Sequence, residues 1–447
     1  MHPSSPAPLP VDPPPAGPPP LTLREAIPTW ARVGALGFGG PAGQIAVLHR
    51  IVVEEKEWVD EPRFLHALNF CMLLPGPEAQ QLATYVGWMM HGVRGGLAAG
   101  ILFILPGFFI LSVLSALYAA YQETTFVAAL FFGLKAAIIA VVVEALLRIG
   151  KRALKGRGAY AIAAAAFISL SLLNIPFPIV VLGAGLAGWL MARNADPATQ
   201  TTVSAPGERV SWRRTARVVA VCFVLWWAPV ALLAMLFGTR SVWVTEGLFF
   251  GHAATVTFGG AYALLAYVAQ HAVENYGWLG PGEMLDGLGL AETTPGPLIL
   301  VVQFVAFLGA WRDPGPLPPL VAGLLGATLT AWVTFAPSFM FIFAGAPYVE
   351  RLRGNRGLSA ALAGITAAVV GVILNLAVWF ALHVLFARVN KVDAGPFHLL
   401  VPDWRTLDVA SLLIALGAAF ALFRLKWGML PTLAAAVAAG LAVRLIG

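Results

Sequence analysis

The residues with most chemistry in this sequence come in matched pairs. Pro75-Gly76-Pro77 recurs as Pro295-Gly296-Pro297, and Phe38-Gly39-Gly40 recurs as Phe258-Gly259-Gly260. Proline removes a backbone N–H and restrains the residue before it, so a helix stops there. Glycine lets the chain turn and lets a ligand come close to the backbone. An apolar helix is expected to begin after each Pro-Gly-Pro, at Glu78 and at Leu298. Each helix start presents free N–H groups and about half a positive charge. Two such starts meeting inside an apolar body favour an anion. Gln80, Gln81, Thr84, Thr293, Thr294 and Gln303 lie close by as neutral side-chain donors. Helix capping and packing are their alternative role.

Charged residues inside apolar runs narrow the chemistry further. Lys135 and Glu144 stand nine residues apart, two and a half turns, on a similar helical face. Either they form structural ion pairs through other helices, or Lys135 meets the substrate and Glu144 carries a proton; intramembrane charges default to the functional reading. Glu78 lies in the first turn after Pro77, where a carboxylate complements the helix dipole or is protonated as an anion binds. Glu292 precedes Pro295 by three residues. The expected substrate-binding set is therefore Gly39, Gly40, Pro75, Gly76, Pro77, Gln80, Gln81, Lys135, Gly259, Gly260, Thr293, Thr294, Pro295, Gly296 and Pro297. The candidates for proton coupling are Glu78, Glu144 and Glu292. Arg32 reads as an interfacial anchor, and His66, His91 and His252 as polar packing residues.

No catalytic residues, metal ligands or cofactor site are expected. Cys71 and Cys222 sit in apolar runs with neither metal spacing nor a disulfide framework. Gly37-Phe38-Gly39-Gly40-Pro41-Ala42 fits a dinucleotide pattern but has no preceding strand, so it reads as a helix break. A phosphate-binding P-loop, a zinc-protease helix motif and a nucleophile elbow are all missing from the sequence.

The elements that must position these residues are membrane helices. Of 447 residues, 59% are hydrophobic and 11% charged, against roughly 25% charged in soluble domains. At about 20 residues per span this supports at most about 13 spans and excludes a soluble enzyme. The net charge of +6 reflects Lys and Arg in cytoplasmic loops, with no nucleic acid as partner. Apolar runs lie at about 95–121, 126–148, 159–173, 176–192, 216–237, 320–346, 358–386, 407–423 and 429–446. Between them, 23–91 and 242–311 are apolar but broken by glycine and proline. Residues 1–20 contain ten prolines and read as a disordered tail. The expected organisation is that tail, a first transmembrane repeat at 21–192, a cytoplasmic linker at 193–215, and an extra span with a second, inverted repeat at 216–447.

The duplication rests on a constant offset. Shifts of 220 residues carry Phe38 to Phe258, Glu54 to Glu274, Trp58 to Trp278 and Pro75 to Pro295; after an insertion near Arg312–Pro319 the shift is 231, carrying Pro106 to Pro337 and Gly133 to Gly364. Inversion rests on charge. Residues 21–91 hold five basic side chains and 241–311 none; Arg148, Lys151, Arg152, Lys155 and Arg157 crowd a loop whose counterpart, 386–405, is nearly balanced. By the positive-inside rule the N-terminus is cytoplasmic and the C-terminus lies outside. The fold class expected is an all-α polytopic membrane protein of two homologous halves in inverted topology, with broken or re-entrant helices at Pro-Gly-Pro and Phe-Gly-Gly. Such folds are common among secondary transporters, with the site near the midplane where helices break.

The sequence resembles the chromate ion transporter family in its long, two-half form. The resemblance is carried by Gly37-Phe-Gly-Gly-Pro-Ala42, Glu55-Lys-Glu-Trp-Val59 and Asn69 through Ala83 around the first Pro-Gly-Pro. Phe258-Gly-Gly-Ala-Tyr262 and Ala291-Glu-Thr-Thr-Pro-Gly-Pro-Leu298 are similar to the second-half counterparts. It implies export of chromate across a bacterial inner membrane, driven by the proton-motive force, and chromate resistance. It also implies sulfate as a competing anion. A dianion leaving a cell gains about 2 × 2.3 kcal/mol per 100 mV, so uniport and proton antiport both remain open. The expected partners are chromate, protons and the lipid bilayer, with sulfate and a homodimer left open. A channel and an intramembrane enzyme are the competing classes.

Overall fold

The structure, a computed structural model, describes residues 21–72, 74–193, 212–256, 261–346, 356–395 and 397–445. The expected proline-rich tail, most of the expected linker and the second Phe-Gly-Gly lie outside the described residues.

All nine apolar runs form helices. The first repeat comprises α1 (Leu23–Ala35), α2 (Gly40–His49), α3 (Glu61–Cys71), α4 (Glu78–Tyr121), α5 (Thr125–Ala153), α6 (Arg157–Ser171) and α7 (Phe177–Arg193). An additional helix, α8 (Trp212–Phe237), precedes the second repeat. That repeat holds α9 (Val242–Val256), α10 (Ala261–Gln270), α11 (Pro281–Thr293), α12 (Val301–Arg312), α13 (Pro319–Gly345), α14 (Arg356–Leu385), α15 (Val409–Phe423) and α16 (Met429–Leu445). The offsets that pair the motifs also pair the helices, α1 with α9, α2 with α10, α3 with α11 and α5 with α14. Even the π-helical turns Arg50–Glu55 and His271–Asn275 recur.

Five helices among the described residues, α4, α5, α8, α13 and α14, are long and apolar enough to cross a membrane. Shorter apolar helices, including α6, α7, α15 and α16, pack beside them. Large apolar side chains face outward, among them Phe109 and Val113 on α4, Leu182 on α7 and Met235 on α8. This is the surface of a multi-pass membrane protein, which needs no polar exterior where lipid covers it.

Helix α4 doubles back. His91 and Gly92 leave helical geometry, with Gly92 at φ +62°. A Cβ on Gly87 would meet the Gly95 carbonyl at 2.4 Å. In a straight helix eight residues span about 12 Å, so the two arms of α4 lie side by side. In the second repeat the same reversal is a loop, between α12 and α13, where the inserted residues fall.

The halves are interlocked. The hairpin α6–α7 of the first repeat packs on α14 of the second, and α16 of the second packs on α5 of the first. Both crossings run on glycine. A Cβ on Gly133 would lie 2.0 Å from the Ala436 carbonyl, and one on Gly364 would lie 2.4 Å from the Ala184 carbonyl. Gly133 and Gly364 are repeat equivalents, and Ala184 and Ala436 are each the eighth residue of the 17-residue helices α7 and α16. The final turns of α5 and the first turns of α14 line one cavity, so these equivalent helices run in opposite directions.

One element differs from the sequence expectation in detail. Within 386–405, read from charge as a loop, the antiparallel strands β1 (Val389–Ala394) and β2 (Phe397–Pro402) pair from Val389–Pro402 to Ala394–Phe397. The reason is local, since Val389–Ala394 mixes polar and apolar residues as far as a turn at Gly395, φ +64°, and the mostly apolar Phe397–Pro402 folds back on it.

Candidate functional site

Both kinds of break form as glycine-dependent turns. Gly39 (φ +87°) and Gly40 (φ +65°) separate α1 from α2, and Gly76 (φ +117°) and Gly296 (φ +102°) stand between the prolines. Helix α4 begins at Glu78 and a short 3-10 turn begins at Leu298 before α12. Neither start has a side-chain cap, so first-turn N–H groups remain available.

Each Pro-Gly-Pro sits against the proline-bearing helix of the opposite repeat. A Cβ on Gly296 would be 3.2 Å from the Gly107 Cα, beside Pro106 of α4; one on Gly76 would be 2.9 Å from Ser338 Oγ, beside Pro337 of α13. The Gly296 N–H donates to the Gly37 carbonyl at 2.9 Å. The Gln44 side-chain amide donates to the Gly296 carbonyl at 2.5 Å. The first repeat's Phe-Gly-Gly region is thereby tied to the second repeat's Pro-Gly-Pro. Gln44 was not anticipated, because only the folded pairing gives it a partner.

A cavity of about 710 Å³ lies where these elements converge. Its wall includes Pro41, Ala42 and Ile45 of α2, Ala261 and Tyr262 of α10, and Glu78 at the start of α4. Arg148, Arg152 and Lys155 supply three cations from the end of α5 and the turn after it. Arg148 donates to Glu144 at 2.6 Å. Arg152 donates to the Met72 sulfur at 2.9 Å. Neither Arg152 nor Lys155 has a carboxylate within ion-pair distance among the described residues, though the Arg152 charge acts on Glu78 across the cavity wall. Tyr262 donates to Glu292 at 2.6 Å, which places Glu292 one hydrogen bond behind the cavity wall. A basic cleft that ends at a helix start attracts anions by both field and hydrogen bonding.

Among the described residues, none of the expected substrate-binding residues lines this cavity, and of the proton-coupling candidates only Glu78 does. Gln80 and Gln81 are fully buried beside the first break, with amide groups donating to Thr84 and the Pro75 carbonyl. Their carbonyl oxygens have no partner. Thr293 and Thr294 turn their hydroxyls back to backbone carbonyls of α11. Lys135 faces Asp286 of α11 at 3.1 Å, and Asp286 also accepts from Tyr118 at 2.6 Å. Arg32 pairs with Glu55 at 2.6 Å. Gly259 and Gly260 lie outside the described residues. Asp286 and Tyr262 were missed by sequence reasoning. An acid in an apolar stretch, set against an intramembrane lysine, was the signal available for Asp286.

A second cavity, about 140 Å³, lies at the opposite ends of α6 and α14. The first cavity touches Ala159 and Ile162 of α6, and the second touches Leu170 and Ser171. The hairpin covers it through Lys391, which donates to Glu274 at 3.0 Å. Asn174 accepts from Gln270 at 2.9 Å on the same wall. Asn375, the repeat counterpart of Glu144, faces this cavity.

The family pattern described as Chromate transporter matches residues 25–189 and 245–442, one stretch in each repeat. A chromate transport protein of Pseudomonas aeruginosa is 33% identical over 80% of this chain and 81% of its own length. A chromate transport protein of Cupriavidus metallidurans is 27% identical, covering 81% of this chain and 84% of its own. A probable chromate transport protein of Synechococcus elongatus is also 27% identical, covering 80% and 85%. No solved structure matches the chain.

Proposed function

This chain belongs to the chromate transporter family, whose members are membrane transporters rather than enzymes, and from that premise we propose that it exports chromate from the cytoplasm in exchange for protons. The observation that carries the reading is a pair of unequal cavities at opposite ends of α6 and α14. A large basic cavity reaches the start of α4, while its opposite number is small and roofed by the hairpin.

The large cavity carries the basic end of α5, so the positive-inside rule places it at the cytoplasm. The N-terminus is then cytoplasmic, the C-terminus periplasmic and the membrane the bacterial inner one. A tetrahedral dianion enters past Arg152 and Lys155 and loses water as it reaches the N–H groups of the first α4 turn. Glu78 at that start repels the dianion while it is ionised, which makes anion binding pH-dependent; the exchange itself needs a proton carried in the half-cycle that returns without the anion. Rocking of interlocked halves across the Gly133 and Gly364 crossings then closes this cavity and opens the other. Lys135, held by Asp286, anchors α5 to α11, and becomes a substrate contact only where that pair separates. Export on this scheme confers chromate resistance. Sulfate, another tetrahedral dianion, is the competing substrate.

The test is chromate uptake into everted membrane vesicles at fixed potential, with and without a pH gradient and with sulfate as competitor. Saturable uptake accelerated by an acid interior supports proton-coupled export. Saturable uptake indifferent to the gradient overturns the proton exchange and leaves potential-driven transport. Uptake of sulfate with none of chromate would move the substrate.

A further inference from the structure

The second repeat holds a carboxyl that the scheme above does not use. Glu246, one turn into α9, is wholly buried, and neither carboxyl oxygen has a hydrogen-bond partner. Glycines make room for it on two neighbouring helices. A Cβ on Gly309 of α12 would lie 2.6 Å from Glu246 Oε1, and one on Gly326 of α13 would lie 2.8 Å from Oε2. The repeat counterpart in α1 is Ala26, so the acid belongs to one half only. A carboxylate with neither a cation nor a protein donor beside it is very costly to bury, which favours the neutral acid.

A row of hydroxyls leads away from it. Thr330, Thr334 and Ser338 follow Gly326 along α13 at intervals of four residues, all buried, and none of the three hydroxyls has a partner. Other hydroxyls in the long helices donate to a carbonyl one turn back, as Ser112, Ser115, Thr328 and Thr366 do. These three do not. Each step along the row is about 6 Å, the span of one bridging water. The row ends at the first Pro-Gly-Pro, where Ser338 Oγ and Gln81 Nε2 border the space beside Gly76. At its other end α9 starts beside a surface pocket of about 490 Å³ lined by Arg240, Ser241, Trp243 and Asp313.

We propose that Glu246 is a proton-carrying site, loaded from the Arg240–Asp313 pocket and unloaded along Thr330, Thr334 and Ser338 toward the Gly76 break. The idea rests on the proton exchange proposed above and adds the route. No covalent bond to carbon changes. A hydronium ion in the pocket gives its proton to the ionised carboxylate and becomes water, each hydroxyl accepts one proton and passes on its own, and water at the break takes the last proton away.

The charged surroundings suit that role. Asp313, at the end of α12, acts on Glu246 as a like charge and opposes a second carboxylate. Arg312 beside it is engaged by the Trp278 carbonyl at 2.7 Å and by Glu283 at 2.5 Å. Helix α13 brings no ionisable side chain, and α10 only the phenols of Tyr262 and Tyr267. Helix α8 carries Arg213, Arg214 and Arg217 in its first turns and Cys222 further on, and His252 lies six residues along α9.

The test compares wild type, Glu246→Gln and Thr334→Val in everted vesicles at fixed potential. A pH dye reads proton flux on addition of chromate, and chromate–chromate exchange at equal pH reads the anion step alone. Glu246→Gln should keep exchange within about twofold and lose chromate-dependent proton flux by at least about tenfold. Thr334→Val should slow the proton flux less and leave exchange intact. Wild-type proton flux in Glu246→Gln overturns this site and leaves proton exchange standing. Chromate uptake without proton flux in the wild type overturns both. Should Glu246→Gln lose exchange as well, Thr334→Val decides, and an unchanged proton flux there overturns the route.

Discussion

At one end of α6 and α14 the chain encloses about 710 Å³ lined by Arg148, Arg152 and Lys155; at the other end it encloses about 140 Å³ under a hairpin pinned by Lys391 and Glu274. The two regions lie along the same helices, α6, α10 and α14, at their opposite ends. Gly133 meets Ala436 as Gly364 meets Ala184, so the framework is close to symmetric. The cavities are not. What separates them is the state of the framework and the few residues the repeats do not share, namely the α5 cations, the hairpin, and the acids Asp286 and Glu246. Duplication supplies two access routes, and divergence decides which is open and what charge each prefers.

The comparison breaks most severely at the unshared ion pair. Lys135→Met leaves Asp286 buried without its cation, and losing one partner of a buried pair costs about 3–5 kcal/mol. Folded yield and thermal stability in detergent should fall sharply, whereas Thr366→Val, at the equivalent position of the second repeat, should be near neutral. Equal effects would mean that the halves do not differ there.

The shared crossings come next. Gly133→Val and Gly364→Val drive a side chain into opposing backbone, and each should cost about 1–3 kcal/mol or more by overpacking. Matched losses of transport in the two variants sharpen the symmetry, and a loss in only one breaks it.

At the breaks, Ala is strained at Gly76 and at Gly296 by positive φ. The Gly296 variant should be the worse, because its Cβ meets the backbone of Gly107, while that of Gly76 meets the movable ends of Gln81 and Ser338. Initial rates of chromate uptake in the single and double variants check the order.

Arg152→Gln removes one charged donor from the large cavity. The half-saturating chromate concentration should rise about tenfold, the scale of a charge-assisted hydrogen bond, with weaker dependence on ionic strength.

The smallest effect belongs to the roof. Lys391→Ala breaks a largely exposed pair worth about 0–1 kcal/mol, so stability should hardly change while labelling of the small cavity increases.

The breaks were legible because proline and glycine act locally, and the helices could be read because a span must be continuously apolar. The antiparallel relation of α5 and α14 was legible too, in loop charge. The interlocking was not, since nothing in Gly133 or Gly364 names its partner. Asp286 and Glu246 were missed for a related reason: Glu246 is a single acid in an apolar stretch, Asp286 is one of three on α11, and the role of each depends on α5 or α13 far away in sequence. Thr293 and Thr294 looked like donors by type, but one ends α11 and the other caps it, where a hydroxyl reaches back to a carbonyl of the helix. The hairpin escaped because balanced charge made 386–405 look like a plain loop.

Alternation between the two cavities is the central claim, and site-directed labelling tests it most directly. With Cys71 and Cys222 replaced, Ala363→Cys in the large cavity and Asn375→Cys in the small one are labelled with a membrane-impermeant thiol reagent from each side. Ala363→Cys should label only from the cytoplasm, and Asn375→Cys only from the opposite side, rising as Ala363→Cys falls when chromate and a pH gradient are applied. Labelling of both positions at full rate at the same time, unchanged by chromate, would describe a channel and contradict the account.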